Sequence, residues 1–327
     1  MTHWSVNEQA AEILEKEVIP NQERLHIDVF RLKNGATVLD MGIRAKGGFR
    51  AGRYFVEAGM GGLGRLRYQM LPVGDLQMPG LTVTADAPVI AEMSSYVAAT
   101  KVQWKGKTQV ISGPVRAIRR TDGFAASVPY EDLHPKRAVA GVQTESMPDE
   151  ELAERIAETC GIDPDRLYII AARTGCIVGA VQVCARNIEQ TLPSLNDQGF
   201  RMKWIKEGMA ATPIEGIVDD EETAYGRVND CLIYGQETVL SVEVPSDEKI
   251  TEILQRLTFD KNTGIFGTPF GTLFASCDRN WANVPREWDA PCKVIFFSKK
   301  SGKCYVTGSI NSEVLMEDFL GEGDWIE

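Results

Sequence analysis

The chain has 327 residues, 43% hydrophobic and 25% charged, the composition of an ordinary soluble globular protein with enough length for one large or two smaller α/β domains. Its net charge of -11 argues against general binding of nucleic acid or an anionic membrane, both of which require a positive field, and leaves room only for a local basic pocket. No segment approaches a membrane span, and the N-terminus lacks the basic and apolar regions of a signal peptide, so a cytoplasmic protein is expected.

In chain order, Ser5 to Val18 has helical spacing and is ended by Pro20. LHIDVFRL and ATVLDMGI flank Lys33-Asn34-Gly35, which predicts a β-hairpin with an Asn-Gly turn. A short helix follows over 51–58, then a strand around Leu66 to Tyr68. The glycines between them lack GxGxxG spacing and carry no dinucleotide fingerprint. The strand Leu81 to Asp86 leads into a helix PVIAEMSSYVAAT, and the strand TQVISG ends in the turn Ser112-Gly113-Pro114. That turn reads either as an ordinary strand end or as bare backbone offered to a ligand. After the strand RAVAGVQTE, Asp149 and the acids beside it open an amphipathic helix that Gly161 ends. A buried strand YIIAA and the turn ARTG, which contains Arg173, come next. The stretch 198–219 reads as a crossing segment. CLIYG and TVLSVEV read as strands, with Asn229 and Asp230 in a turn just before the first. SDEKITEILQRL reads as a helix, and CKVIFFSKKSGKCYVTGSI as a closing hairpin. Alternating strands and helices predict an α/β fold of layers.

Seven cysteines, an odd number without a CxxC pair, suggest neither a disulfide framework nor a zinc site. They read as small buried hydrophobes in a reducing compartment. Three scattered histidines offer no metal centre and no Ser/His/Asp triad, and His134 stays open as a lone acid or base. No metal is expected.

From Cys176 to Leu192 the sequence CIVGAVQVCARNIEQTL predicts a helix that is apolar almost all round. Gln182, Arg186 and Glu189, spaced by four and three residues, form one polar stripe on it. Burying Arg and Glu costs several kcal/mol per ion before their attraction offsets it, at about the magnitude seen for buried ion pairs. Two readings stand at this level. One is a buried Arg186/Glu189 pair that ties two layers together; the other is the wall of a cleft, with a carboxylate base and a guanidinium beside it.

Seven segments, LKNGATVLDMGIRAKGGFRAG, TADAPVIAEMSSY, SGPVRA, ESMPDEEL, GAVQVCARNIEQTL, EGMAATPIEG and GRVNDCLIYG, occur in the order and spacing of the methenyltetrahydromethanopterin cyclohydrolases, which the whole chain resembles. The resemblance implies a cytoplasmic, metal-independent enzyme of one-carbon metabolism, a homotrimer of two-domain α/β subunits with mixed sheets. Its substrate is a tetrahydromethanopterin derivative, the one-carbon carrier, held in a cleft between the domains. The methenyl bridge of that pterin is reversibly hydrolysed to a formyl group. The family pattern VQxxARxxE places catalytic Arg and Glu at Arg186 and Glu189, with Glu189 as base and Arg186 as its orienter. Gln182, Ser112, Gly113, Pro114, Arg173, Asn229 and Asp230 are the expected substrate contacts. The expected domains are 1–85 together with 200–327, and 86–199 carrying the catalytic helix.

The chain departs from the family at Ala172-Arg173-Thr174-Gly175, where a Pro-Thr-x-Ser turn is usual. It departs again at Ser94-Ser95-Tyr96-Val97-Ala98-Ala99, where Ser-Gln-Tyr-Ala-Gly-Trp is usual, and at Val115, where a small residue is usual. A Ser-Thr-Thr-Ser run is replaced by FDKNTGIFG. These departures support an alternative, the same fold acting on a different pterin, a folate or another cyclic amidine. A non-catalytic pterin-binding paralogue is the third reading, and retention of both Arg186 and Glu189 weighs against it.

Overall fold

The computed structural model describes residues 4–261, 264–280 and 283–320 and divides the chain into two units, Met1–Arg65 with Ala87–Gln182, and Leu66–Asp86 with Val183–Glu327. In chain order the strands are β1 Asp28–Arg31, β2 Thr37–Gly42, β3 Gly64–Val73, β4 Leu76–Ala85, β5 Thr100–Trp104, β6 Lys107–Ser112, β7 Ala138–Gln143, β8 Leu167–Ala172, β9 Ile205–Pro213, β10 Glu237–Val242, β11 Lys293–Ser298 and β12 Cys304–Gly308. The α-helices are α1 Val6–Ile13, α2 Gln22–Leu25, α3 Phe49–Gly59, α4 Gly123–Ser127, α5 Glu150–Cys160, α6 Ile177–Cys184, α7 Asn187–Asp197, α8 Glu221–Gly235, α9 Glu248–Leu254, α10 Phe270–Ser276 and α11 Ser312–Leu320.

The first unit is built on a six-stranded sheet of order β1-β2-β8-β7-β6-β5. β2 runs parallel to β8 and β8 parallel to β7, while the β1/β2 and β5/β6 hairpins are antiparallel. The central strands are buried on both faces, so they read as apolar runs rather than as alternations. Leu39, Met41, Val139 and Ile170 meet Leu14 and Phe55 of the N-terminal helical segments on one side. Val38, Ala140 and Ile169 meet Leu152 and Ile156 of α5 on the other. The expected turn is present, with Gly35 at φ 93 and the β1/β2 register running from Arg31 beside Thr37 to Asp28 beside Asp40. Asp149 caps α5 by accepting from the Leu152 amide at 3.1 Å, and Gly161 closes it in the left-handed conformation.

The second unit has a six-stranded sheet of order β12-β11-β10-β9-β4-β3. β10 and β11 are parallel, whereas β4/β9, β9/β10 and β11/β12 are antiparallel. Beneath α8 and α11 lies an aromatic core in which Phe270 stacks on Trp288 with centroids 4.0 Å apart.

Four sequence expectations are corrected. The domain division differs because β2 pairs with β8, which carries the N-terminal hairpin to the central segment, and β4 pairs with β9, which carries residues 66–86 to the C-terminal part. CLIYG is not a strand but the end of α8. Asp220, whose carboxylate accepts from the Thr223 amide at 2.8 Å, and the acids Glu221 and Glu222 mark that helix's start. The crossing segment over 198–219 contains β9. The single helix over 176–192 is two helices, because Arg186 leaves helical geometry at φ -79, ψ 20 and its amide donates to the Val183 carbonyl at 2.9 Å in a tighter turn.

Candidate active site

In the second unit, Arg186 is the residue before the first turn of α7 and Glu189 is the third residue within it. The guanidinium Nη1 donates to Glu189 Oε2 at 2.7 Å, and the two side chains are 12% and 16% exposed. Glu189 Oε1 makes no hydrogen bond among the described residues. The carboxylate is thus anchored at one oxygen, and it stands at a helix N-terminus, where backbone N–H groups favour an anion. Such a carboxylate is fixed in direction and retains a lone-pair oxygen for a proton. The thiols of Cys184 and Cys231 are buried. The neighbouring Cys184 thiol, then burial, raises Cys231 well above the ordinary thiol range.

Gln182 falls on the first unit, at the last residue before the division, so it does not share one continuous helix face with Arg186 and Glu189. It is buried. Its Nε2 donates to Gln143 Oε1 at 2.9 Å, and Gln143 Nε2 donates to Thr174 Oγ1 at 2.6 Å, so the strand end of β7, the turn before α6 and α6 itself are joined by amides. The Tyr96 hydroxyl donates to the Gln182 carbonyl at 2.6 Å. Arg173 lies in the same turn, half-buried. Its carbonyl accepts from the Cys176 thiol at 3.1 Å and closes on Gly179, where a Cβ would collide with it.

The Ser112-Gly113-Pro114 turn is tied into the interior of the first unit. Ser112 Oγ donates to the Gly141 carbonyl at 3.1 Å, the Gly113 amide to the Ser95 carbonyl at 2.8 Å, and Asn7 Nδ2 to the Pro114 carbonyl at 2.8 Å. Gly113 adopts φ 95, and a Cβ there would lie 2.8 Å from the Val139 carbonyl oxygen. Ser95 and Tyr96 therefore connect this turn to Gln182. They belong to a π-helical segment, Ile90–Tyr96, in which the Ser94 and Ser95 hydroxyls are buried without a hydrogen-bond partner among the described residues. π-Helical turns recur at functional sites, and orphaned hydroxyls in a packed interior are rare. The sequence predicts a helix here and a departure from the family at Ser94 to Ala99, but the apolar run around it gives no sign of the wider π-helical turn.

Asn229 and Asp230 are not in a turn. They lie inside α8, where Asn229 Nδ2 donates to the Tyr225 carbonyl at 2.7 Å and the Asp230 carboxylate accepts the Phe270 amide at 2.8 Å, holding the start of α10. His134 lies apart, at a cavity of about 940 Å3 in the first unit also lined by Arg119, Glu158 and Arg166. Among the described residues no cluster of three His, Cys, Asp or Glu side chains could hold a metal, and no helix is long and apolar enough to cross a membrane.

A family profile described as Cyclohydrolase (MCH) matches residues 5–319. The chain is 32% identical to the methenyltetrahydromethanopterin cyclohydrolase of Methanosarcina mazei, over 96% of its own length and 98% of that relative. It is 31% identical to the enzyme of that name from Methanospirillum hungatei, with the same coverage. The counterpart in Methanocaldococcus jannaschii is 30% identical over 95% of this chain and 97% of the relative.

Proposed function

The chain belongs to the cyclohydrolase (MCH) family, and from that premise we propose that it reversibly hydrolyses the methenyl bridge of methenyl-tetrahydromethanopterin, or a close analogue, to the formyl form. The observation that carries the reading is the Arg186–Glu189 pair, 2.7 Å apart, within a chain aligned almost end to end with enzymes of that name.

The methenyl bridge is an amidinium-like cation, already electrophilic at carbon, so the demanding step is to take a proton from the attacking water. Glu189 serves as the general base, a role worth roughly 10² to 10⁴ in rate. Arg186 holds the carboxylate in direction and can donate to the developing oxygen. Water adds to the bridge carbon, one C–N bond of the resulting tetrahedral carbon breaks, and its electron pair stays on the departing nitrogen, which takes up one of the water's two protons. The oxygen becomes the formyl carbonyl, and one proton is released overall. We assign recognition of the heterocycle to Gln182, Arg173 and the Ser112-Gly113-Pro114 turn, with no metal in the reaction. Assembly as a cytoplasmic homotrimer completes the reading.

A second reading, the same reaction on a different pterin, folate or cyclic amidine, is favoured by Arg173, whose guanidinium suits a carboxylate or phosphate on the ligand. The test is the absorbance decay of methenyl-tetrahydromethanopterin and, in parallel, methenyl-tetrahydrofolate, with wild type and Glu189→Gln. Glu189-dependent turnover of the first supports the main reading, and turnover of the second alone supports the alternative. Absence of both removes the reaction, and full activity of Glu189→Gln removes the base.

A further inference from the structure

Helix α7 carries a second polar side besides the one that bears Glu189. At roughly 100° per residue, Asn187, Gln190, Thr191 and Ser194 fall together, and Glu189 lies about 160° around the helix from Asn187. This second side meets β10 at Thr238. The inward residues farther along that strand, Leu240 and Val242, are apolar. At the end nearest α7 the layer turns polar: Asn187, Thr191, Gln236 and Thr238 are all fully buried.

Their hydrogen bonds close a ring. The Cys292 backbone amide donates to Gln236 Oε1 at 2.9 Å, and because an N–H cannot accept, this contact orients the side-chain amide. Gln236 Nε2 is thereby turned to two hydroxyls, donating to Thr191 Oγ1 at 3.2 Å and to Thr238 Oγ1. Each hydroxyl accepts from Gln236 and gives its own proton to the Asn187 carbonyl, Thr238 at 3.2 Å and Thr191 at 3.4 Å. A carbonyl in the first turn of α7 is held at once by a strand and by its own helix. Gln190 Nε2, on the same side, donates to the Ala290 carbonyl at 3.2 Å.

Polar side chains are costly in an apolar layer, and apolar groups of the same shape can fill it about as stably. What the ring adds is direction. Apolar contacts tolerate small slides and rolls of a helix, whereas a satisfied hydrogen-bond network admits one arrangement. The start of α7 needs that constraint, because it has no side-chain cap and Arg186 before it has left helical geometry. A reacting constellation must be held to about 0.5 Å by groups behind it.

We propose that Gln236 and Thr238 are positioning residues for the Arg186–Glu189 pair. The ring sets the roll of the first turn of α7, and with it the direction in which Glu189 meets Arg186. Its bonds end at the Asn187 carbonyl, so it acts through the helix and not on the reacting atoms. This role presupposes the base assigned to Glu189 above.

Thr238→Val and Thr238→Ser separate direction from packing, since valine keeps the shape and loses the hydroxyl, while serine keeps the hydroxyl and loses a methyl group. Methenyl absorbance decay gives kcat and KM, and urea unfolding gives the midpoint. NMR of protein labelled at arginine nitrogen gives the Arg186 side-chain N–H signals without substrate, assigned by their absence from Arg186→Lys. Thr238→Val is expected to lose roughly 10- to 100-fold in kcat at unchanged KM, with Arg186 signals that exchange faster with water. Thr238→Ser is expected to recover most of both, although its urea midpoint falls below that of wild type. Should Thr238→Val not fold, Thr191→Val and Thr191→Ser decide in the same way. Activity and Arg186 signals that follow the urea midpoint across the series, or that match wild type in the valine variants, overturn the positioning role. A wild type that turns over neither methenyl-tetrahydromethanopterin nor methenyl-tetrahydrofolate removes the reaction, and the Arg186 signals alone then decide whether the ring holds the pair.

Discussion

Arg186 and Glu189 meet across a helix start rather than along a helix flank: the guanidinium sits at the residue before α7 and reaches forward 2.7 Å to a carboxylate in its first turn. The placement puts the carboxylate between a cation and the positive end of a helix dipole, an arrangement that orients an anion and still leaves one oxygen open to a proton. A pair built only to tie layers together would use both oxygens, because a buried carboxylate is stabilised by filling its lone pairs.

Glu189→Gln is expected to lower kcat by about 10² to 10⁴ with little change in KM, since the amide keeps the shape and loses the base. Arg186→Lys retains a cation without the fork and loses less than Arg186→Ala. In a double-mutant cycle, Glu189→Gln and Arg186→Ala together cost far less than the sum of the two alone, because they act as one unit. Initial rates of methenyl absorbance decay read all four. Additive losses would mean that the two residues act separately.

Asp230→Ala separates a structural from a functional role for a residue that sequence reasoning placed among the substrate contacts. Its carboxylate accepts the Phe270 amide at the start of α10, so the loss expected is about 1–2 kcal/mol of stability, with KM unchanged. Urea unfolding and steady-state kinetics on the same preparation give both numbers. A raised KM at unchanged stability would restore the functional role.

The reason Asp230 was misplaced shows what the sequence exposes and what it hides. NDCLIYG is a short apolar run ending in Gly, and such a run fits a buried strand as well as a buried helix end. The deciding signal lay ten residues upstream, in Asp220 with Glu221 and Glu222, a helix start in plain view. The β1/β2 hairpin was legible because Asn34-Gly35 supplies the positive φ that the turn demands, and α5 because Asp149 and Gly161 cap it at both ends. Arg186 and Glu189 were legible as charges among apolar residues. The break between α6 and α7 was not, since no Gly or Pro marks it. The groups that hold it come from far away in the chain, among them Thr238, whose hydroxyl donates to the Asn187 carbonyl at 3.2 Å. The domain division was hidden for the same reason, because it is set by which distant strands pair.

Gly113→Ala is expected to destabilise the first unit by about 1–3 kcal/mol. The native φ of 95 is strained for any residue with a Cβ, and that atom would also press on the Val139 carbonyl. Denaturant midpoints at constant slope would show it. An unchanged midpoint would mean that the turn relaxes at no cost and that glycine stands there for some other reason.

The last prediction concerns acid. Arg116 is fully buried; its Nε and Nη2 donate to both oxygens of Asp122 at 2.8 and 2.7 Å, and its remaining bonds go to the Ser95 and Met93 carbonyls. Burial by itself would raise the Asp122 carboxyl, but the hydrogen bonds and charge of Arg116 outweigh it and hold the group below the ordinary Asp value of 3.8. A carboxyl depressed in the folded state stabilises fully above its unfolded value, and that contribution is lost as pH falls from there through the folded value. Asp122→Asn leaves a buried, unpaired guanidinium and is expected to cost about 3–5 kcal/mol at neutral pH. Below pH 3.8 the gap between variant and wild type should narrow, because wild type then loses the same charge. Melting temperatures of both proteins across pH 2 to 7 test this. A gap that stayed constant down to the acid limit would show that the pair contributes through packing alone.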